Sequence, residues 1–167
     1  MIYEDVLKQL WLRKVRYLIA GGLAVNLYGY TRLTMDIDLM IDFSDQNLLS
    51  AVAGMEACGY VPRLPVKAIH LADQKQRDEW IREKGALVFT FFDPAKPYRQ
   101  VDIFLVNLVD FEEAYRRRTE KVIRDIPISI ISLEDLIQLK AISGRPRDVE
   151  DLAHLRTILK SHGKSHP

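Results

Sequence analysis

Apolar positions along this chain alternate between helical and strand spacing with no intervening linker. Val6, Leu7, Leu10 and Trp11 fall on one face of an amphipathic opening helix, and Tyr17-Leu18-Ile19-Ala20 follows as a short unbroken apolar run, the pattern of a buried strand. Gly21 and Gly22 end that strand, and Gly22 to Tyr28 begin a helix. Ile37 to Ile41 predict the second strand. Ser44 stands at the capping position of a helix that runs through Leu48, Leu49, Val52 and Met55 to a stop at Gly59. Pro62 and Pro65 make residues 60 to 72 an irregular connection with room for one short strand. Asp73 to Lys84 reads as a polar surface helix anchored by Trp80 and Ile81. Ala86 to Phe92 and Gln100 to Val106 predict two strands, joined as a hairpin through Asp93-Pro94-Ala95-Lys96-Pro97. A helix over Phe111 to Thr119 and a strand over Ile126 to Ile131 follow. Two helices close the chain, Leu133 to Ile142 and Pro146 to Lys160, with Gly144 and Pro146 marking their junction. The tail from Ser161 to Pro167 reads as frayed, its His162 and His166 as disordered rather than metal-binding. The fold class is therefore α/β (α+β): strands flanked by helices, with C-terminal helices, in a single domain over residues 1 to 160.

Three acids break the strand pattern. Asp36, Asp38 and Asp102 each sit in an otherwise apolar strand-like run, and residues two apart on a strand point the same way, so Asp36 and Asp38 share one face while Ile37 and Leu39 share the other. Asp is depleted from strands, and adjacent like charges repel unless a cation lies between them. Two same-face carboxylates with a third from Val101-Asp102-Ile103-Phe104 make a hard-oxygen cage suited to a divalent metal and to phosphoryl-type chemistry. The bland alternative is a solvent-facing acid pair on a half-buried sheet.

Composition narrows the setting. A chain of 167 residues can bury roughly 70% of its unfolded surface without covalent staples. The single cysteine, Cys58, excludes an intramolecular disulfide, which with no signal-like leader predicts a cytoplasmic protein. Cys58 has no helper histidine nearby and reads as a packing residue. No apolar stretch reaches membrane-spanning length. The net charge of +1 argues against a surface given over to nucleic acid, and the run Tyr115-Arg116-Arg117-Arg118 with Lys121 and Arg124 reads as a solvated helix face before an RNA-binding one.

The combined pattern of Gly21-Gly22, a helix-sized gap, Arg32, Thr34, Asp36-Ile37-Asp38 and the later Val101-Asp102-Ile103 resembles the nucleotidyltransferase superfamily with its polymerase-beta-like palm. Ser132 to Lys140 and Gly144 to Leu152 resemble the closing helices of its small bacterial branch, related to abortive-infection and toxin–antitoxin nucleotidyltransferases. The likeness spans residues 17 to about 155. It implies transfer of a nucleoside monophosphate from an NTP to a hydroxyl, with Mg²⁺ or Mn²⁺ held by Asp36, Asp38 and Asp102, the last also accepting the hydroxyl proton. Gly21 and Gly22 would let backbone approach the phosphates, with the helix N-terminus behind them. Arg32 and Thr34 lie on the approach to the acids; Arg32 is either a phosphate contact or an ion-pair partner of Asp36 or Asp38. Lys140 is either a snorkelling surface residue or, as the resemblance implies, a phosphate- or base-proximal one. Asp148 and Asp151 read as first-turn helix acids that pair with Arg145 or Arg147. The acceptor stays open between tRNA, protein and a small molecule, as does a homodimer mate or cognate partner protein completing the cleft. The competing reading is a non-catalytic nucleotide- or partner-binding member of the same fold.

Overall fold

The computed structural model describes residues 2–163. In chain order the elements are α1 (Glu4–Leu12), β1 (Tyr17–Ala20), α2 (Gly21–Leu27), β2 (Asp36–Ile41), α3 (Asp45–Ala57), β3 (Val61–Pro62), a 3-10 turn (Ala68–Ala72), α4 (Gln74–Lys84), β4 (Val88–Asp93), β5 (Lys96–Phe104), α5 (Phe111–Arg116), β6 (Thr119–Ile123), β7 (Ile126–Ile130), α6 (Leu133–Ser143) and α7 (Pro146–Gly163). The seven strands form one sheet in the order β3-β4-β5-β2-β1-β7-β6. It is mixed: β2 runs parallel to β5 and β1 to β7, and the other neighbours are antiparallel. This is the expected fold class.

Strand alternation divides the β4–β5 half of the sheet into a closed and an open face. Phe89, Phe91, Val101 and Ile103 are buried, with Phe89 stacked on Trp80 of α4 at 5.2 Å. Their neighbours Val88, Thr90, Phe92, Gln100, Asp102 and Phe104 are only partly covered. Each strand therefore offers one face to the core and the other to a partly covered surface.

Local chemistry explains where the expected elements shift. The helix expected over Phe111 to Thr119 ends at Arg116, and Thr119 instead opens β6, antiparallel to β7. The joining residues Arg124 and Asp125 both have positive φ, 47° and 65°, as a tight primed hairpin turn requires. That turn is normally signalled by Asn-Gly or Asp-Gly, so Arg-Asp hides it. Ser44 occupies the N-cap position of α3 without a side-chain cap bond; Asp42 Oδ1 instead accepts from the Ser44 amide at 2.8 Å. The β4–β5 turn is tighter than expected, because Asp93 Oδ1 accepts from the Ala95 amide at 2.9 Å and β5 starts at Lys96. The helix α7 runs through Gly163. Residues 164–167, with the side chains of His162 and His166, lie outside the described residues. Among the described residues no helix is long and apolar enough to cross a membrane.

Candidate active site

The site grows from one row across the sheet. Ala20 of β1 pairs with Asp38 of β2, Asp38 with Asp102 of β5, and Asp102 with Thr90 of β4. Residues paired in register project to the same face, so Asp38 and Asp102 stand side by side and Asp36 joins them from two positions away. One carboxylate oxygen of each acid lies within 4.8 Å of the others. None of the three forms an ion pair with a side chain among the described residues; their direct partners are neutral. Thr34 Oγ1 donates to Asp36 Oδ1 at 2.9 Å, and Thr90 Oγ1 donates to Asp102 Oδ1 at 2.6 Å.

Burial and the crowding of negative charge both hold the Asp38 and Asp102 carboxyl groups above the ordinary carboxylate range. Burial first, then the charges of Asp36 and Asp102, push the Asp38 carboxyl up to about 7, against the opposing pull of Lys140 and the Gly22 amide. Burial also raises Asp102, with Asp36 adding to it, while the Thr90 hydrogen bond, Arg63 and Arg145 pull the other way. An all-oxygen set that resists full ionisation on its own fits a hard divalent cation, which would supply the missing positive charge.

The glycine pair makes room for this acid strand. Gly21 has φ +57°, and a Cβ placed there would lie 1.7 Å from Asp38 Oδ2. At Gly22 a Cβ would lie 2.5 Å from Thr34 Oγ1 and 2.9 Å from an Arg32 terminal nitrogen. Asp38 and Thr34 thus pack directly on the backbone of the first turn of α2, and only glycine permits that approach. Residues 29 to 35 are fixed by Asn26, whose side chain donates to Arg32 O at 2.9 Å and accepts from the Arg32 amide at 3.0 Å.

Arg32 does not pair with Asp36 or Asp38. Its guanidinium forks onto Asp151 of α7, Nε to Oδ1 at 2.8 Å and Nη2 to Oδ2 at 3.0 Å. Lys140 Nζ reaches Asp148 Oδ1 at 2.6 Å and Asp151 Oδ2 at 2.9 Å. Asp148 and Asp151 therefore pair with Lys140 and Arg32 and not with the guanidinium groups of Arg145 or Arg147; Arg145 gives Asp148 only its backbone amide, at 3.2 Å. The chain folds this way because α7 turns back along α6 at Gly144, φ +58°, bringing its first turns against residue 32. Since Asp148, Asp151 and Lys140 are all buried, Lys140→Met is expected to destabilise the protein by about 3 kcal/mol, because Asp148 loses its cation and Asp151 is left with Arg32 alone. Urea unfolding checks this, and an unchanged midpoint would contradict a structural role for the pair.

Two contributors escape sequence reading. Thr90 is identifiable only once the β4–β5 register is known. Tyr3 carries no motif at all, yet its hydroxyl donates to Met35 O and accepts from the Gln100 amide at 3.0 Å, tying α1 to the strand ends beneath Asp36. The arginine run is internally neutralised: Arg116 pairs with Glu113 at 2.6 Å, Arg117 with Asp135 at 2.9 Å and Arg118 with Glu120 at 2.6 Å. The expected solvated helix face is found only at Arg116: Arg117 caps α5, Lys121 lies in β6, and Arg124 sits in the β6–β7 turn paired with Glu4 at 2.9 Å.

The architecture has solved counterparts. A lincomycin-bound lincosamide antibiotic adenylyltransferase, LnuA, superposes with a TM-score of 0.60 at 21% identity, covering 92% of this chain and 93% of its own. ANT(2'')-Ia in complex with adenylyl-2''-tobramycin gives 0.61 at 17% identity, covering 97% and 90%. At such identities the likeness is one of fold. No curated protein matches the sequence. Residues 3–160 match the family described as nucleotidyltransferase of unknown function, DUF6036. With nearly the whole chain inside that match, the protein belongs to this nucleotidyltransferase family.

Proposed function

We propose that the protein transfers a nucleoside monophosphate from an NTP to a hydroxyl of a small molecule, using a divalent metal held by Asp36, Asp38 and Asp102. The observation that carries this reading is the convergence of three half-buried carboxylates on one sheet face, with no cationic side chain paired to them among the described residues. Mg²⁺ or Mn²⁺ bound there would neutralise the triphosphate and acidify the attacking hydroxyl. Asp102, held by its hydrogen bond from Thr90, also takes the proton, and its raised pKa suits a base. The hydroxyl oxygen forms the new bond to the α-phosphorus as the bond to the bridging oxygen breaks, and pyrophosphate leaves. Gly21, Gly22 and Thr34 border the phosphates, while Arg32 and Lys140, both engaged by Asp151, hold α7 beside the site. Residues 1 to 160 act as one domain in this reading, in the cytoplasm.

The small-molecule acceptor is favoured over tRNA or protein because the fold's solved counterparts carry lincomycin and adenylyl-tobramycin, and because the arginine run that would track RNA is already paired. A homodimer mate or partner protein remains the natural second wall of the open face. Incubation with each α-labelled NTP and Mg²⁺ or Mn²⁺, against separated small-molecule, RNA and protein fractions, tests donor and acceptor together. Metal-dependent label in the small-molecule fraction is expected. Turnover that is equal in wild type and Asp36→Asn would refute the assignment.

A further inference from the structure

The transverse row that builds the acid site does not stop at Thr90. The Arg63 amide donates to Thr90 O at 2.9 Å, which extends the row from Ala20 through Asp38, Asp102 and Thr90 to Arg63, just beyond the short edge strand β3. Thr90 and Phe92 share the open face by strand alternation, and the Arg63 guanidinium lies over the Phe92 ring at 5.5 Å. Arg63 therefore projects on the same face as the three carboxylates. It is exposed and forms no ion pair among the described residues, unlike Arg32 and the arginines at 116 to 118. Arg145, at the α6–α7 junction, is likewise exposed with a guanidinium free of ion pairs among them. Both act on Asp102 electrostatically.

In-line displacement fixes which substrate meets this cation, granted the transfer reading above. Asp38 abuts the Gly21-Gly22 turn, the side proposed for the triphosphate, and the leaving pyrophosphate departs there. The attacking hydroxyl must approach from the opposite side, where Asp102 is ready to take its proton. Outward from Asp102 the sheet presents Thr90, Phe92 and then Arg63. We propose that Arg63 is an acceptor-binding residue and that the acceptor is a small hydroxylated anion, its phosphate or carboxylate lying two strands beyond the reacting hydroxyl. Strands are about 4.8 Å apart, so the anionic group sits roughly 5 to 10 Å from that hydroxyl. A polycationic acceptor would be repelled at the same place, and the stacked ring of Phe92 holds the guanidinium out over the face.

The test uses the full chain with α-labelled NTP and Mg²⁺ against a small-molecule extract separated by ion exchange into anionic, neutral and cationic pools, alongside RNA. Binding of a non-hydrolysable NTP is measured in parallel for wild type, Arg63→Ala and Arg63→Glu. Wild type is expected to label the anionic pool. Arg63→Ala should lose ~10- to 100-fold in labelling at low acceptor concentration, the size of one charge-assisted contact, with NTP affinity unchanged. Arg63→Glu should lose more. Label confined to neutral or cationic compounds or to RNA, or Arg63→Ala labelling as well as wild type, overturns the proposal and leaves the transferase reading standing. Parallel loss of NTP affinity in Arg63→Ala would make Arg63 a donor contact and also overturn it. A wild type that neither binds NTP with Mg²⁺ nor labels any pool would instead remove the reading on which the proposal rests.

Discussion

Asp38→Asn is expected to lower metal-dependent transfer about a thousandfold or more while making the metal-free protein more stable at neutral and alkaline pH. The first effect follows from losing an anionic ligand at the centre of the triad. The second follows from linkage. Asp38 titrates near 7 in the fold against an ordinary value of 3.8, so the folded state holds a proton that the unfolded state has released between those values. A group raised in this way favours folding fully below its unfolded pKa, and that contribution is lost as pH rises through the folded pKa. Metal-free wild type should therefore lose stability from about pH 4 to pH 7, at up to ~1.4 kcal/mol per pH unit for a whole proton. Asp102 is shifted in the same direction, so the slope in Asp38→Asn should be reduced and not abolished. Urea unfolding in chelator at pH 5 and pH 8 reads this directly. Mg²⁺ added at pH 8 should restore wild type and do little for the variant. Identical pH slopes in both would mean that the carboxylates do not share charge as their geometry demands.

The sheet and the acids were legible in the sequence for a simple reason. Strand parity is rigid, so Asp36 and Asp38 could be placed on one face before any contact was known, and the apolar residues between them fixed which face that was. Asp102 needed the resemblance as well, since nothing local says which strand will lie beside β2. What stayed hidden depends on register and long-range return of the chain. Lys140 and Asp151 are eleven positions apart on separate helices, and Arg32 is more than a hundred positions from Asp151; only the reversal at Gly144 makes them one buried network. The β6–β7 hairpin was missed because Arg124 and Asp125 adopt a left-handed turn that their side chains do not advertise. Gly21 and Gly22 were read from the side of the phosphate. Their surroundings in the fold add a second requirement, the close packing of Asp38 and Thr34 on the same backbone.

That requirement yields the sharpest expected contrast among the glycines. Gly21→Ala should abolish transfer and metal binding together and also cost stability. The left-handed φ of +57° penalises any β-carbon, by about 1–2 kcal/mol, and the new methyl would occupy the position of the Asp38 carboxylate, which lies 1.7 Å away. The acid must leave, and with it the metal site. Gly22→Ala should be milder, because the atoms it meets are the ends of Thr34 and Arg32, at 2.5 and 2.9 Å, and Thr34 can turn aside at the expense of its bond to Asp36. Gly29→Ala is the control: φ is +109° with open space around it, so it carries backbone strain without touching the acids. Mn²⁺ titration and urea unfolding on the three variants separate the effects. Gly29→Ala should lose stability alone, whereas Gly21→Ala should lose stability and Mn²⁺ affinity at once. Full Mn²⁺ affinity in Gly21→Ala would show that Asp38 does not hold the metal from the position it occupies against this turn.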